Sequence, residues 1–258
     1  MKKKILTSLT INLLSGLCCC QSISDKPACI QLCAAETLLT LKDQIISKLR
    51  YKGSAPGISA RLQQSARNGF YFADLHCEKG FYTRNSYFSP AAKRIDHLGF
   101  RAQLAYFQSL RSRKAPRWRL FVGGLISGLM DDNEVLRFSN SRNITYGIVD
   151  IAPAIAMQRA FRLFNRNWRF DSSLSIPIAA YTWTPQYSIP NFNDSYYRGL
   201  QTFGHYFRVL TRAALHCELP RSANGFFLAY EWNYRQLSVK NKVQSAAQRC
   251  TIGLSIYL

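Results

Sequence analysis

The chain is 258 residues long, enough for one domain with appendages, and its hydrophobic fraction of 47% is ordinary. Beyond the N-terminus no uninterrupted apolar run approaches the roughly eighteen residues a membrane-crossing helix needs, which argues against helical spans. The formal charge of +20 calls for an anionic partner, either nucleic acid or the phosphates of acidic lipid and lipopolysaccharide, or else sits on a solvated rim. The arginines are scattered through turns and alternate positions instead of being massed on a helix or recognition motif, so a membrane surface fits better than nucleic acid.

Residues 1–20 read as a signal peptide: Lys2, Lys3 and Lys4 form a basic start, Ile5 to Leu17 an apolar core, and small residues follow. Cleavage after Cys20 and lipidation of Cys18 both stay open. Residues 21–68 read as a periplasmic helix and linker. Within them Leu38, Leu41, Ile45 and Leu49 recur at spacings of three and four, which predicts a short amphipathic helix over Ala34 to Arg50. That helix would lie at the membrane interface, plug a lumen or hang free, and Tyr51 to Asn68, with Gly53, Pro56 and Gly57, would link it to the rest.

From Gly69 onward the period changes to two. Leu98, Phe100, Ala102, Leu104 and Tyr106 alternate with Gly99, Arg101, Gln103 and Ala105. After the polar turn Arg111 to Pro116, Trp118, Leu120, Val122 and Ile126 resume the pattern. Runs near a dozen residues exceed an ordinary strand and suffice for a tilted strand to cross a bilayer. Eight such strands are expected, near 69–77, 98–110, 117–130, 144–158, 168–181, 203–217, 224–237 and 245–258. The fourth is the weakest, because Pro153 removes a ladder donor. Connections alternate between long (78–97, 131–143, 182–202) and short (111–116, 159–167, 218–223), as outer-membrane barrels alternate surface loops with periplasmic turns. Tyr106, Trp118, Trp168 and Phe226 would mark one interface and Phe203, Trp232 and Tyr234 the other. The fold expected is therefore all-β: a closed antiparallel transmembrane β-barrel of about eight strands over residues 69–258, preceded by the N-terminal amphipathic helix. A soluble sandwich or lipocalin-like barrel, with the apolar faces turned inward, is the rival.

The C-terminal stretch Arg249 to Leu258, with Cys250, Ile252, Leu254 and Ile256 apolar at alternate positions, resembles the terminal assembly signal of bacterial outer-membrane proteins, although it ends in Leu258 with Tyr257 one place early. The region from Gly69 resembles the small outer-membrane β-barrel class, and Trp168 to Tyr187 is similar to barrels of Bacteroidetes-type bacteria. The resemblance implies the bacterial cell outer membrane as location and the assembly machinery of that membrane as a partner. It transfers no catalytic residue.

Cys18, Cys19 and Cys20 belong to the signal region, while Cys77, Cys217 and Cys250 fall in separate strands, so no disulfide framework is expected. No zinc, calcium or phosphate-loop spacing occurs, so no cofactor or metal is expected. A narrow barrel has its interior filled by side chains. A lumen network of Arg101, Arg119, Asp171, Arg208, Arg212, Glu231, Arg235 and Arg249 is expected to pair internally and hold it shut. In the first two surface loops Lys79, Arg84, Lys93, Arg94, Arg137 and Arg142 would meet lipopolysaccharide phosphates. His97 with Asp132 or Ser139 is an alternative catalytic set. Small outer-membrane lipid A palmitoyltransferases, which also place His, Asp and Ser in surface loops, look superficially similar.

Taken together these features predict a monomeric, non-enzymatic barrel whose basic loops bind outer-membrane lipid, lipopolysaccharide or an external partner. A lipid A acyltransferase or deacylase, and a small porin or importer, are the alternatives.

Overall fold

The computed structural model describes residues 28–43, 50–83, 94–110, 118–137, 140–186, 195–219, 224–238 and 242–258. Strand follows strand: β1 (Cys29–Asp43), β2 (Arg50–Ala66), β3 (Gly69–Thr83), β4 (Ile95–Leu110), β5 (Arg119–Arg137), β6 (Asn140–Leu163), β7 (Arg166–Ser175), β8 (Ala179–Gln186), β9 (Ser195–Thr202), β10 (Tyr206–Glu218), β11 (Asn224–Ser238) and β12 (Lys242–Tyr257). Each pairs antiparallel with its neighbours, and β1 pairs with both β2 and β12, so the sheet closes on itself. β7 and β8 lie end to end along β6, and β9 and β10 end to end along β8 and β7, so twelve segments make ten staves.

The alternation read in the sequence recurs here with the apolar side outward. Leu104, Ile126, Ile151, Leu228, Ile252 and Leu254 are exposed on the outer wall. Between them Gln103, Ser127, Asp150, Thr251 and Ser255 are buried in the lumen. An inside-out barrel of this kind is stable only against hydrocarbon. Closure pairs the strands with one another around the wall, β9 being paired on one side only, and paired edges are the condition for β-structure to cross a bilayer. Trp168 against Phe226 and Trp118 against Phe170 pack edge to face at the end where β1 begins and β12 finishes. Trp232 stacks on Tyr234 further along β11 towards the far end.

Three expectations need correction. No helix forms over the described part of 34–50, and 51–66 is not a linker: Cys29–Asp43 and Arg50–Ala66 are the first two staves. In β1 the lumen side is Gln31, Ala35, Thr37, Leu39 and Leu41 and the outer side Leu32, Ala34, Glu36 and Leu38, so the helical spacing of Leu38 and Leu41 joined residues of opposite faces. The strand number rises accordingly from eight to ten. Third, 131–143 is no loop, because β5 and β6 run 19 and 24 residues and pair out to Arg137 opposite Asn140. Residues 1–20, expected as a signal peptide, lie outside the described residues.

Pro153 is tolerated because the neighbouring stave breaks opposite it. Ala154 faces Ser175 and Ile151 faces Ala179, so two residues of β6 oppose three of the next stave, a bulge carrying Pro177. Pairing resumes at once through Ile178 N–H to Ile151 C=O at 3.0 Å. At the terminus-bearing end β6 turns into β7 through Phe164 and Asn165, both at positive φ as a two-residue hairpin requires. Gly123 is needed for a different reason: a Cβ there would sit 1.9 Å from the Tyr106 carbonyl oxygen.

Candidate functional site: the charged lumen

The lumen is layered. At the far end Leu41, Tyr51, Tyr82, Ile95, Ile144, Tyr146, Tyr206 and Leu237 close an apolar layer. Towards the termini Phe70, Phe72, Phe107, Phe121 and Leu125 form a second, with Phe70 stacked on Phe107 at 5.0 Å and edge-on to Phe121. Between and beside them lie the charges, each delivered by the inward phase of its strand.

The central group is built on Glu78 of β3 and Glu231 of β11. Arg101 grips Glu231 with both terminal nitrogens, and Arg249 bridges the two carboxylates, at 3.3 Å from Glu231 and 3.1 Å from Glu78. Glu78 also accepts from Thr37 Oγ1 at 2.6 Å and faces His76 Nε2 at 2.9 Å, while His97 Nε2 stands 3.6 Å away. The Nδ1 atom of His97 is fixed by Asn133 Oδ1 at 3.0 Å. A second group centres on Asp150 of β6, which accepts from Arg208 Nη1 and from the Tyr206 hydroxyl, each at 2.7 Å. Arg208 also donates to Ser127 Oγ at 2.8 Å and Asn233 Oδ1 at 3.0 Å. Arg235 pairs with Asp131 and donates from Nε to Ser245 at 2.6 Å. Nearer the termini Asp171 sits between Arg169 at 3.1 Å and His216 at 3.0 Å. Arg61 lies 3.9 Å from Asp74 with its guanidinium 3.6 Å above the Phe72 ring.

Buried charge is costly, and each of these carboxylates has at least one cation within reach, which is how an inward-facing ion is made tolerable. Two cavities among the described residues are of about 30 Å3, one beside His76, Glu78 and His97 and one beside Arg61, Asp171 and Arg212. Each is room for a water or two. The arrangement neutralises most of the inward charge and braces opposite strands against one another. Among the described residues no cluster of His, Cys, Asp and Glu is fit to hold a metal.

Of the residues expected in the lumen, Arg101, Glu231 and Arg249 come together. Arg208, Arg235 and Asp171 find other partners, Arg212 lines the lower cavity, and Arg119 does not belong, because it stands exposed at the rim where β5 begins. Sequence reading missed Glu78, Asp131 and Asp150, the partners that complete the set. Glu78 and Asp131 lay beyond the assumed strand ends, and Asp150 lay in the strand that Pro153 made doubtful. Continuing the phase of two through those boundaries would have found all three.

The alternative catalytic set is not assembled. His97 is buried in the lumen whereas Asp132, paired with Leu98, faces outward and accepts from Thr145 at 2.9 Å. Ser139 lies outside the described residues. Among the expected phosphate ligands, Lys79 sits on the outer face of β3 and not in a loop. Arg94 is exposed at the far mouth, 2.6 Å from Asp96 and over the Phe81 ring. Arg137 and Arg142 belong to the β5 and β6 backbones, and Arg84 and Lys93 lie outside the described residues.

A closed barrel with an apolar outer wall and a charged lumen has the build of a β-barrel that spans a membrane, the bacterial outer-membrane type of fold. No family model matches the chain, and no curated protein matches it in sequence. Solved structures similar to it include the outer membrane protease OmpT from Escherichia coli, with 12% identity over 91% of this chain and 97% of that one at a TM-score of 0.49. Others are Neisserial surface protein A, with 9% identity over 89% and 97% at 0.39, and the β-domain of the Bordetella autotransporter BrkA, with 13% identity over 91% and 100% at 0.43. At these values no activity passes from them to this chain.

Proposed function

We propose that this protein is a closed, non-enzymatic barrel whose far rim binds the phosphates of lipopolysaccharide. The observation that supports this reading is the division of charge. Inside, arginine and carboxylate nearly balance, so the excess positive charge of the chain lies elsewhere. Lys42, Arg50, Lys52, Lys79, Arg94 and Arg198 are exposed towards the far end, and Arg67, Arg119, Arg162 and Arg166 towards the termini. A barrel of even strand number sends both termini to one side, and the short-turn side of such barrels is periplasmic. The far rim therefore meets the outward leaflet, where anionic headgroups are matched by guanidinium and ammonium donors. The filled lumen favours this reading over a porin, and the separation of His97 from Asp132 favours it over an acyltransferase.

The test is retention of lipopolysaccharide on the full chain purified from outer membrane in mild detergent, measured through its hydroxylated fatty acids by mass spectrometry. Lipopolysaccharide held at low salt and shed as salt rises supports the reading. A purified barrel free of it at every salt concentration rejects the reading.

A further inference from the structure

The outward face of the wall from β1 to β6 and β8 carries an apolar concavity of about 860 Å3. Register explains its depth. Ala60, Leu75, Ala102 and Gly128 stand side by side across four strands, three of them too small to fill their share of the surface. The adjoining row carries the larger Ile58, Phe100 and Met130, with Ile58 left 70% exposed. One margin is fixed by Trp183, whose indole lies against Gly147 so closely that a Cβ there would be 1.6 Å from Trp183 Cε2. A trough of small residues bordered by large ones is complementary to something narrow, long and apolar.

Lys79 says what its polar end must be. It follows Cys77 on the outer face of β3, about 7 Å further towards the far rim at the usual strand rise. Phe81, also outward, comes next. An ammonium between lipid-facing apolar neighbours is costly unless it snorkels to an anion. Glu36 and Asp132, the carboxylates of the same row, stand two strands away on either side, about 10 Å, and Asp132 is held by Thr145. Among the described residues Lys79 forms no ion pair.

We propose that the concavity seats an acyl chain of lipopolysaccharide whose phosphate is met by Lys79. This rests on the reading that the far end faces the outward leaflet, and it turns rim attraction into a defined lipid site on the wall. The small residues supply the slot, Trp183 its end and Lys79 the headgroup contact.

Two of the three variants fill the slot and leave every rim cation, Lys79 included, in place. Gly128→Leu has space, since a Cβ there meets nothing nearer than the Ala102 carbonyl oxygen at 4.0 Å, and Ala102→Leu acts on the next strand. Lys79→Gln removes the charge. Each full-length variant is taken from outer membrane, shown to be folded by its mobility shift on boiling, and its bound hydroxylated fatty acid measured per barrel. Either slot variant, and Lys79→Gln, should retain about tenfold less lipopolysaccharide than the parent protein, equivalent to about 1.4 kcal/mol. Folded slot variants that keep the parental amount overturn the site while leaving rim binding standing, provided the parent sheds its lipid with salt. A parent without lipopolysaccharide overturns both readings. Phospholipid lost from the slot variants in place of lipopolysaccharide overturns the assignment of the occupant.

Discussion

Replacing Glu231 by leucine should be among the most damaging single changes in the lumen. Glu231 is the shared counter-ion of two arginines, and removing it has unequal effects on them. Arg249 keeps Glu78 at 3.1 Å, whereas Arg101 has no other carboxylate among its described partners. Arg101 is nearly inaccessible, so Glu231→Leu strands one guanidinium in the lumen. Breaking a buried pair from one side costs about 3–5 kcal/mol. The adjacent cavity of about 30 Å3 can admit a water to the orphaned group, which places the expected loss near the lower value, about 3 kcal/mol. The second variant, Arg101→Met with Glu231→Leu, removes both charges and leaves Arg249 paired to Glu78. Its loss should be within about 1 kcal/mol of the parent, because apolar replacement of a whole buried pair is often neutral. The assay is urea unfolding in lipid vesicles followed by tryptophan fluorescence, with the boiled and unboiled gel shift as a second probe. A single variant that loses less than about 1 kcal/mol, or a double variant as unstable as the sum of its singles, would refute the view that these charges are held by mutual pairing.

Further outcomes follow from other parts of the barrel. Tyr206→Phe deletes the 2.7 Å hydrogen bond to Asp150 and should lower stability by about 1.5–3 kcal/mol in the same unfolding assay; no change would mean that Arg208 alone satisfies the carboxylate. Gly147→Ala must push Trp183 off the outer wall, so a loss of about 1–3 kcal/mol and a shifted tryptophan emission are expected; an unchanged spectrum would contradict the packing. Deleting residues 29–43 removes the stave between β12 and β2 and should abolish the heat-modifiable form, whereas survival of that form would return this segment to a dispensable appendage. In planar bilayers the parent protein should show no resolved conductance, and steady channel openings would contradict a lumen closed by side chains.

How much of this the sequence disclosed varied with position. The outward phase of Leu98, Phe100, Leu104 and Tyr106 against inward Arg101 and Gln103 was plain, because a membrane barrel solvates one face in lipid and buries charge on the other. The same logic failed in β1 and β2 for local reasons. Leu38 and Leu41 mimic a helical spacing although they lie on opposite faces, and Gly53, Pro56 and Gly57 look like turn residues although the strand accommodates them. Gly53 sits where a Cβ would be 1.8 Å from the Phe81 carbonyl oxygen, a close approach that only pairing with β3 reveals. Within the lumen most of the arginines were legible, Arg61 and Arg169 excepted, and three of the carboxylate partners were not: Glu78 and Asp131 sit past the points where apolar alternation fades, and Asp150 lies in the strand that Pro153 interrupts. The outer concavity depends on which small residues fall side by side, and register is a property of the assembled sheet.

The central claim is that the apolar faces meet lipid and the charged faces meet one another. Spin labels placed singly from Leu98 to Tyr106, in a background with the native cysteines replaced and in reconstituted bilayers, test it through collision rates with oxygen and with a water-soluble nickel chelate. Labels at 98, 100, 102, 104 and 106 should collide with oxygen and be shielded from the chelate, while those at the intervening positions should be shielded from both. Even-numbered labels reached by the chelate, or odd-numbered ones reached by lipid-borne oxygen, would mean that the wall faces the other way and the barrel does not span a membrane.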